Sequence, residues 1–174
     1  VIPSDDDYLK AILDAGRIKL WLDAGNIDGN FNTTIEDGVG ISIWNDLSGS
    51  GNHVTQTNQT SFPTRHGHSV SFDGVNDYIS INDPFENSDN FSLSIWVNTE
   101  VFTGSYHGFL GKQGDNYRKP GMWLNVGSKG LHYDHYSTSG TRFNGTLSNF
   151  FSSTDTWYHV VWVKSDNESI FFRD

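Results

Sequence analysis

The chain has 174 residues, a length that suits one domain. Its 21 acidic and 11 basic side chains leave a formal charge of −10, which argues against nucleic acid, whose phosphates need Lys/Arg patches, and against an anionic membrane surface. There is no cysteine, so disulfides, thiolate metal sites and Cys nucleophiles are excluded together; no apolar run approaches the roughly 18 residues of a membrane-spanning helix.

One segment reads as helix. Ser4 is placed to cap it, Asp5, Asp6 and Asp7 fill the first turn against the positive end of the helix dipole, Leu9, Ile12 and Leu13 form an i, i+3, i+4 stripe, and Gly16 supplies the stop. Beyond Gly16 the period changes to two. Alternation and turn residues predict short strands over 18–22, 41–44, 70–72, 78–81, 91–97, 109–110, 122–126, 131–136, 157–164 and 169–173. Residues 26–37 and 46–52 read as loop, and Asp73-Gly74 as a hairpin turn. Residues 91–97 are the clearest half-buried strand; residues 157–163 are apolar on both faces, as for a strand covered on both sides. With 18 Gly, six Trp and twelve Phe, the pattern predicts an all-β fold: a two-sheet antiparallel sandwich, with one short N-terminal helix. No repeat or linker divides residues 1–174, which read as a single domain. The opening Val points to a removed leader or upstream segment.

Catalytic patterns are wanting. Glycoside hydrolysis needs two neighbouring carboxyls, and the four glutamates, Glu36, Glu86, Glu100 and Glu168, stand far apart in sequence. No zinc-protease, nucleophile-elbow or phosphate-loop motif is present. His66 with His68, and His132 with His135, lack the further ligands that zinc requires. Calcium asks for oxygen ligands on loops. Asp73 and Asp77 flank a tight turn, and Asp23, Asn26 and Asp28 cluster in a loop; either group suits a stabilising calcium. A sugar is recognised by aromatic faces beside hydrogen-bonding side chains. Tyr106, His107, Tyr117, Trp123, His132, Asp134 and Tyr136 fall within about thirty residues. Over 131–136, Leu131, Tyr133 and His135 share the core face, so His132, Asp134 and Tyr136 are expected to look outward, with Tyr106, His107 and Tyr117 on loops.

Four stretches in order carry a family resemblance. Leu20-Trp21-Leu22-Asp23-Ala24 with Trp44-Asn45-Asp46, Ser48-Gly49 and Gly51-Asn52 resembles the opening of bacterial laminin-G-like domains. Phe72-Asp73-Gly74-Val75-Asn76-Asp77-Tyr78, Phe91 to Val97, and Trp157-Tyr158-His159-Val160 resemble three later motifs of the same group. The resemblance implies the concanavalin A-like jelly-roll sandwich shared with pentraxins and legume lectins. Asp115-Asn116 resembles a pentraxin loop whose Asp-Asn pair contributes calcium ligands; the remaining pentraxin ligands have no match here. The family pattern continues past a strand like 169–173 into further strands, whereas the chain stops at Asp174, so the domain reads as lacking its C-terminal closing strands, with completion by another chain as one route. The expected function is a secreted or cell-surface recognition module for a carbohydrate or glycoprotein, calcium-dependent through those loops, within an adhesin or polysaccharide-degrading enzyme. The alternatives are a protein-binding spacer and, third, a glycoside hydrolase or lyase.

Overall fold

The structure, a computed structural model, describes residues 14–82, 84, 89–111 and 120–174. The predicted helix over 4–16 lies outside the described residues except for its last three positions. The secondary structure is almost wholly antiparallel β, in two compact units, Val1–Pro84 and Phe85–Asp174.

In the first unit, turn-forming residues recur every few positions, so strands stay short. β1 (Ile43–Trp44) pairs with β2 (Val54–Thr55), and β3 (Thr64–His66) with β4 (Ser69–Ser71). Three sequence expectations change here. Residues 18–22 alternate like a strand but find no strand to pair with; Trp21 instead bonds the 46–47 turn, its N–H donating to Asp46 Oδ1 at 2.9 Å and its carbonyl accepting from Leu47. The hairpin joining β3 and β4 turns at Gly67-His68 rather than Asp73-Gly74. Residues 78–81 contribute a single bridge, Ser80 to Thr55.

The second unit carries the long strands. These are β5 (Phe91–Val97), β6 (Tyr106–Leu110), β7 (Gly121–Asn125), β8 (Gly130–Tyr136), β9 (Arg142–Leu147), β10 (Tyr158–Ser165) and β11 (Glu168–Arg173). They form a three-stranded sheet, β11-β10-β5, and a four-stranded sheet, β6-β7-β8-β9. Both sheets turn alternate residues into one core: Val97, Tyr158, Val160 and Trp162 from the first, and Met122, Leu124 and Leu131 from the second, closed by Phe151. Trp162 is the centre of that core. Phe91 and Tyr133 meet it edge-on, at 4.9 and 5.6 Å between centroids, and Phe171 stacks at 5.3 Å. β9 was not among the expected strands. Gly145 is the place where the Tyr133 ring crosses the strand; a Cβ there would stand 2.9 Å from Tyr133 Oη.

The core ends in a polar cluster. Lys164 is buried, its ammonium 4.4 Å from the Phe143 ring centroid and donating to the carbonyls of Asp166 and Asp89. The Asp89 carboxylate accepts the Thr138 N–H and hydroxyl at 2.7 Å each, which hold its pKa below the usual range.

The other face of β5-β10-β11 departs from expectation. Residues 157–163 are apolar on both sides, yet only one is covered: Trp96 is 59% exposed and Phe172 58%, with Trp157 and Ile170 about half exposed. On this second face the Trp96 and His159 rings stack on each other, 13° from parallel at 4.9 Å.

This asymmetry makes a direct prediction. Trp162→Ala should cost about 3–5 kcal/mol in denaturant unfolding, and Trp96→Ala should stay within about 0.5 kcal/mol.

Candidate functional site

β8 divides its side chains as the period of two requires. Leu131 lies in the core, Tyr133 packs on Trp162, and His135 meets Phe91 edge-on at 5.2 Å. His132, Asp134 and Tyr136 share the opposite face, as expected. The register extends that face across the sheet. His132 pairs with Trp123 on β7 and Thr146 on β9; Trp123 pairs in turn with Gly108 on β6. Asp134 stands between Gly121 and Asn144, Tyr136 opposite Arg142, and Tyr106 opposite Asn125.

Trp123 lies flat along this face because three glycines leave room for it. Its indole passes 3.5 Å from where a Cβ of Gly108 would stand and 3.3 Å from that of Gly111. At Gly121 a Cβ would overlap the ring at Cη2 and stand 2.7 Å from Cζ3. The rest of the patch is built around this ring. His132 stands 5.8 Å from it at 45°, and its Nδ1 is hydrogen-bonded to Thr146 Oγ1 at 2.9 Å. Tyr106 meets His132 edge-on at 5.7 Å, and its hydroxyl accepts from Asn125 Nδ2 at 3.3 Å. Tyr106, His132 and Trp123 thus form one aromatic surface edged by amide and hydroxyl groups.

Other expected residues fall differently. His107 is on β6, not a loop, and pairs with Leu124, so it faces away from Tyr106; its Nε2 is 2.7 Å from the Thr103 carbonyl. Asp134 is on the outward face yet fully buried, because Arg142 closes over it: Nε donates to Oδ1 at 3.0 Å and Nη2 to Oδ2 at 2.6 Å. Its carboxylate holds the guanidinium pKa above the ordinary arginine value. Arg142 was not among the expected site residues, because its role depends on a carboxylate eight residues away. Tyr117, Asp115 and Asn116 lie outside the described residues.

The acidic loops of the first unit hold their own backbone. Asp73 Oδ1 accepts the N–H groups of Val75, Asn76 and Asp77 at 2.8–3.1 Å, with Val75 the strongest influence lowering its pKa, and Asp77 Oδ2 accepts the Asp73 N–H. Asp73 Oδ1 and Asp77 Oδ2 thus serve the turn itself, as an Asx turn does. Asp28 behaves alike. Burial pushes its pKa up, but the amides of Thr34, Asn30 and Asn32 and the Thr34 hydroxyl outweigh it and bring the value to about 2. Among the described residues, no group of three or more His, Asp or Glu could hold a metal.

The lowered Asp28 pKa fixes a sign. A carboxylate whose folded pKa lies below its unfolded value stabilises above the unfolded value, and that contribution is lost as pH falls through the folded one. Stability should therefore decline between pH 3.8 and about 2, and an NMR titration of Asp28 should show its midpoint near 2; an ordinary midpoint would mean the amide cradle is not formed.

Comparison with known proteins bears on the whole second unit and the end of the first. A laminin-G-type family model, described as the concanavalin A-like lectin/glucanases superfamily, matches residues 73–174, more than half of the chain. No curated protein and no solved structure matches it. That match and the two antiparallel sheets closed on one core agree: the chain belongs to the concanavalin A-like lectin/glucanase superfamily.

Proposed function

We propose that the chain is a recognition module that binds carbohydrate on the outward face of β6-β7-β8-β9, within a larger secreted or cell-surface protein such as an adhesin or a polysaccharide-degrading enzyme. One observation carries this reading: Trp123 is laid flat and partly exposed on a sheet, with Tyr106 and His132 beside it and Asn125 and Thr146 at its edges. Flat aromatic rings stack on the apolar faces of sugars, and the side-chain amide and hydroxyl groups meet the hydroxyls. Catalysis finds less support. Among the described residues the four strands carry one carboxylate, Asp134, and it is tied to Arg142, whereas glycoside hydrolysis uses two carboxyls flanking the bond. Calcium enters the proposal only through the resemblance of Asp115 and Asn116.

A second reading, a protein-binding spacer, is favoured by the exposed Trp96, Trp157, Ile170 and Phe172. It predicts self-association or partner binding in sedimentation and no sugar binding.

A glycan array run in millimolar calcium and again in chelator separates these readings. Binding should appear on at least one purified polysaccharide and fall roughly tenfold or more in Trp123→Ala. Gly121→Ala should weaken it too, since the added methyl lifts the indole off the sheet. A difference between the two conditions that vanishes in Asp115→Ala would assign calcium to that loop. No binder in either condition removes the sugar reading.

A further inference from the structure

The groups beside Trp123 constrain what a bound sugar can carry. The indole reaches from its own position back over Gly121, and Gly121 is paired directly with Asp134 on β8. Directly paired residues stand about 5 Å apart at Cβ. The far edge of the indole and the Asp134–Arg142 pair are therefore neighbours on one face. Two parallel hydrogen bonds to a fully buried carboxylate hold the guanidinium in one orientation, and the Tyr136 ring lies 5.7 Å from Cζ. The Arg142 side chain is nevertheless 45% exposed. Nε and Nη2 are committed to Asp134; among the described residues Nη1 has no hydrogen-bond partner.

A guanidinium carries donors only, so the ligand group that completes it must accept. The fork geometry favours a group with two acceptor oxygens side by side. Because the only described carboxylate of these four strands is already matched by Arg142, this face opposes an anion less than the rest of a chain at −10. Its orientation is set before binding, so little side-chain entropy is lost when the acceptor arrives.

We infer that the sugar held on this face is a uronate, its pyranose ring stacked on Trp123 and its carboxylate docked on the exposed edge of Arg142. The inference rests on the carbohydrate reading above and narrows it to acidic glycans. An N-acetylated sugar brings a single carbonyl acceptor to the same place, and a neutral hexose brings hydroxyls.

Calorimetric titration tests it with four probes at 0.15 M salt: oligogalacturonate, oligomannuronate, a neutral β-glucan oligomer and an N-acetylglucosamine oligomer. At least one uronate should bind about tenfold more tightly than either uncharged oligomer. Arg142→Lys, which loses the planar two-donor edge, should lower uronate affinity more than that of the uncharged oligomers and so remove the preference. Because Arg142→Lys strains a buried carboxylate, the double variant Asp134→Asn/Arg142→Gln, which keeps a neutral hydrogen-bonded pair, serves as the second probe and should show the same selective loss. Trp123-dependent binding of the glucan or the N-acetylated oligomer, as tight as that of the uronates, overturns the acidic class and leaves the sheet-face reading standing. Uronate preference that survives both variants overturns the role of Arg142. Failure of all four probes to bind overturns both the inference and the reading beneath it.

Discussion

The absence of a single carbon atom, the Cβ of residue 121, decides what the four-stranded sheet presents outward. With any other residue there, the indole of Trp123 would be forced up from the sheet. Gly121 lets it lie along the backbone, where Gly108 and Gly111 continue the track. The same device works on the inner side, where Gly145 lets Tyr133 cross β9 and reach Trp162. One sheet thus uses glycine on both faces, once to close a core and once to lay down an aromatic surface. Glycine in a strand interior weakens the strand, and here each loss is offset by a ring that packs where a side chain would have stood.

A second regularity is that carboxylates are consumed locally. Asp46 takes N–H groups from Trp21, Ser48 and Asn52 and the hydroxyl of Ser48. Burial pushes its pKa up, yet these four donors together hold it down. Asp28 and Asp73 organise their own loops in the same way, and Asp134 does so with a guanidinium. In a chain with no cysteine, these charge-assisted hydrogen bonds fix loops that have too few strand residues to pair. They also explain why a sequence dense in Asp and Asn brings so few of them to a common centre. Asp28, Asp46 and Asp73 each lie within a few residues of amide donors that take up their lone pairs.

Much of the fold was legible because strand periodicity is local. Residues 91–97 form β5 with the expected bounds, and the split of Leu131, Tyr133 and His135 from His132, Asp134 and Tyr136 holds residue by residue. Legibility failed where a residue's role depends on a distant partner. β9 was missed, since the use of Gly145 is to make room for the Tyr133 ring of the neighbouring strand. Residues 18–22 alternate correctly and still pair with a turn. His107 and Tyr106 are adjacent in sequence and therefore on opposite faces of β6, so listing them as loop neighbours hid that only Tyr106 joins the patch. Arg142 was invisible because nothing local says that it will cover a buried carboxylate eight residues away.

The account comes down to whether the Tyr106–His132–Trp123 surface, and not the exposed Trp96–Phe172 face of the other sheet, receives the ligand. The direct measurement is the shift of the six indole N–H resonances when a bound oligosaccharide is titrated in. The Trp123 resonance should move most, with His132 ring signals moving alongside it and Trp96 and Trp157 unchanged. Movement confined to Trp96 and Trp157, with Trp123 still, would contradict it.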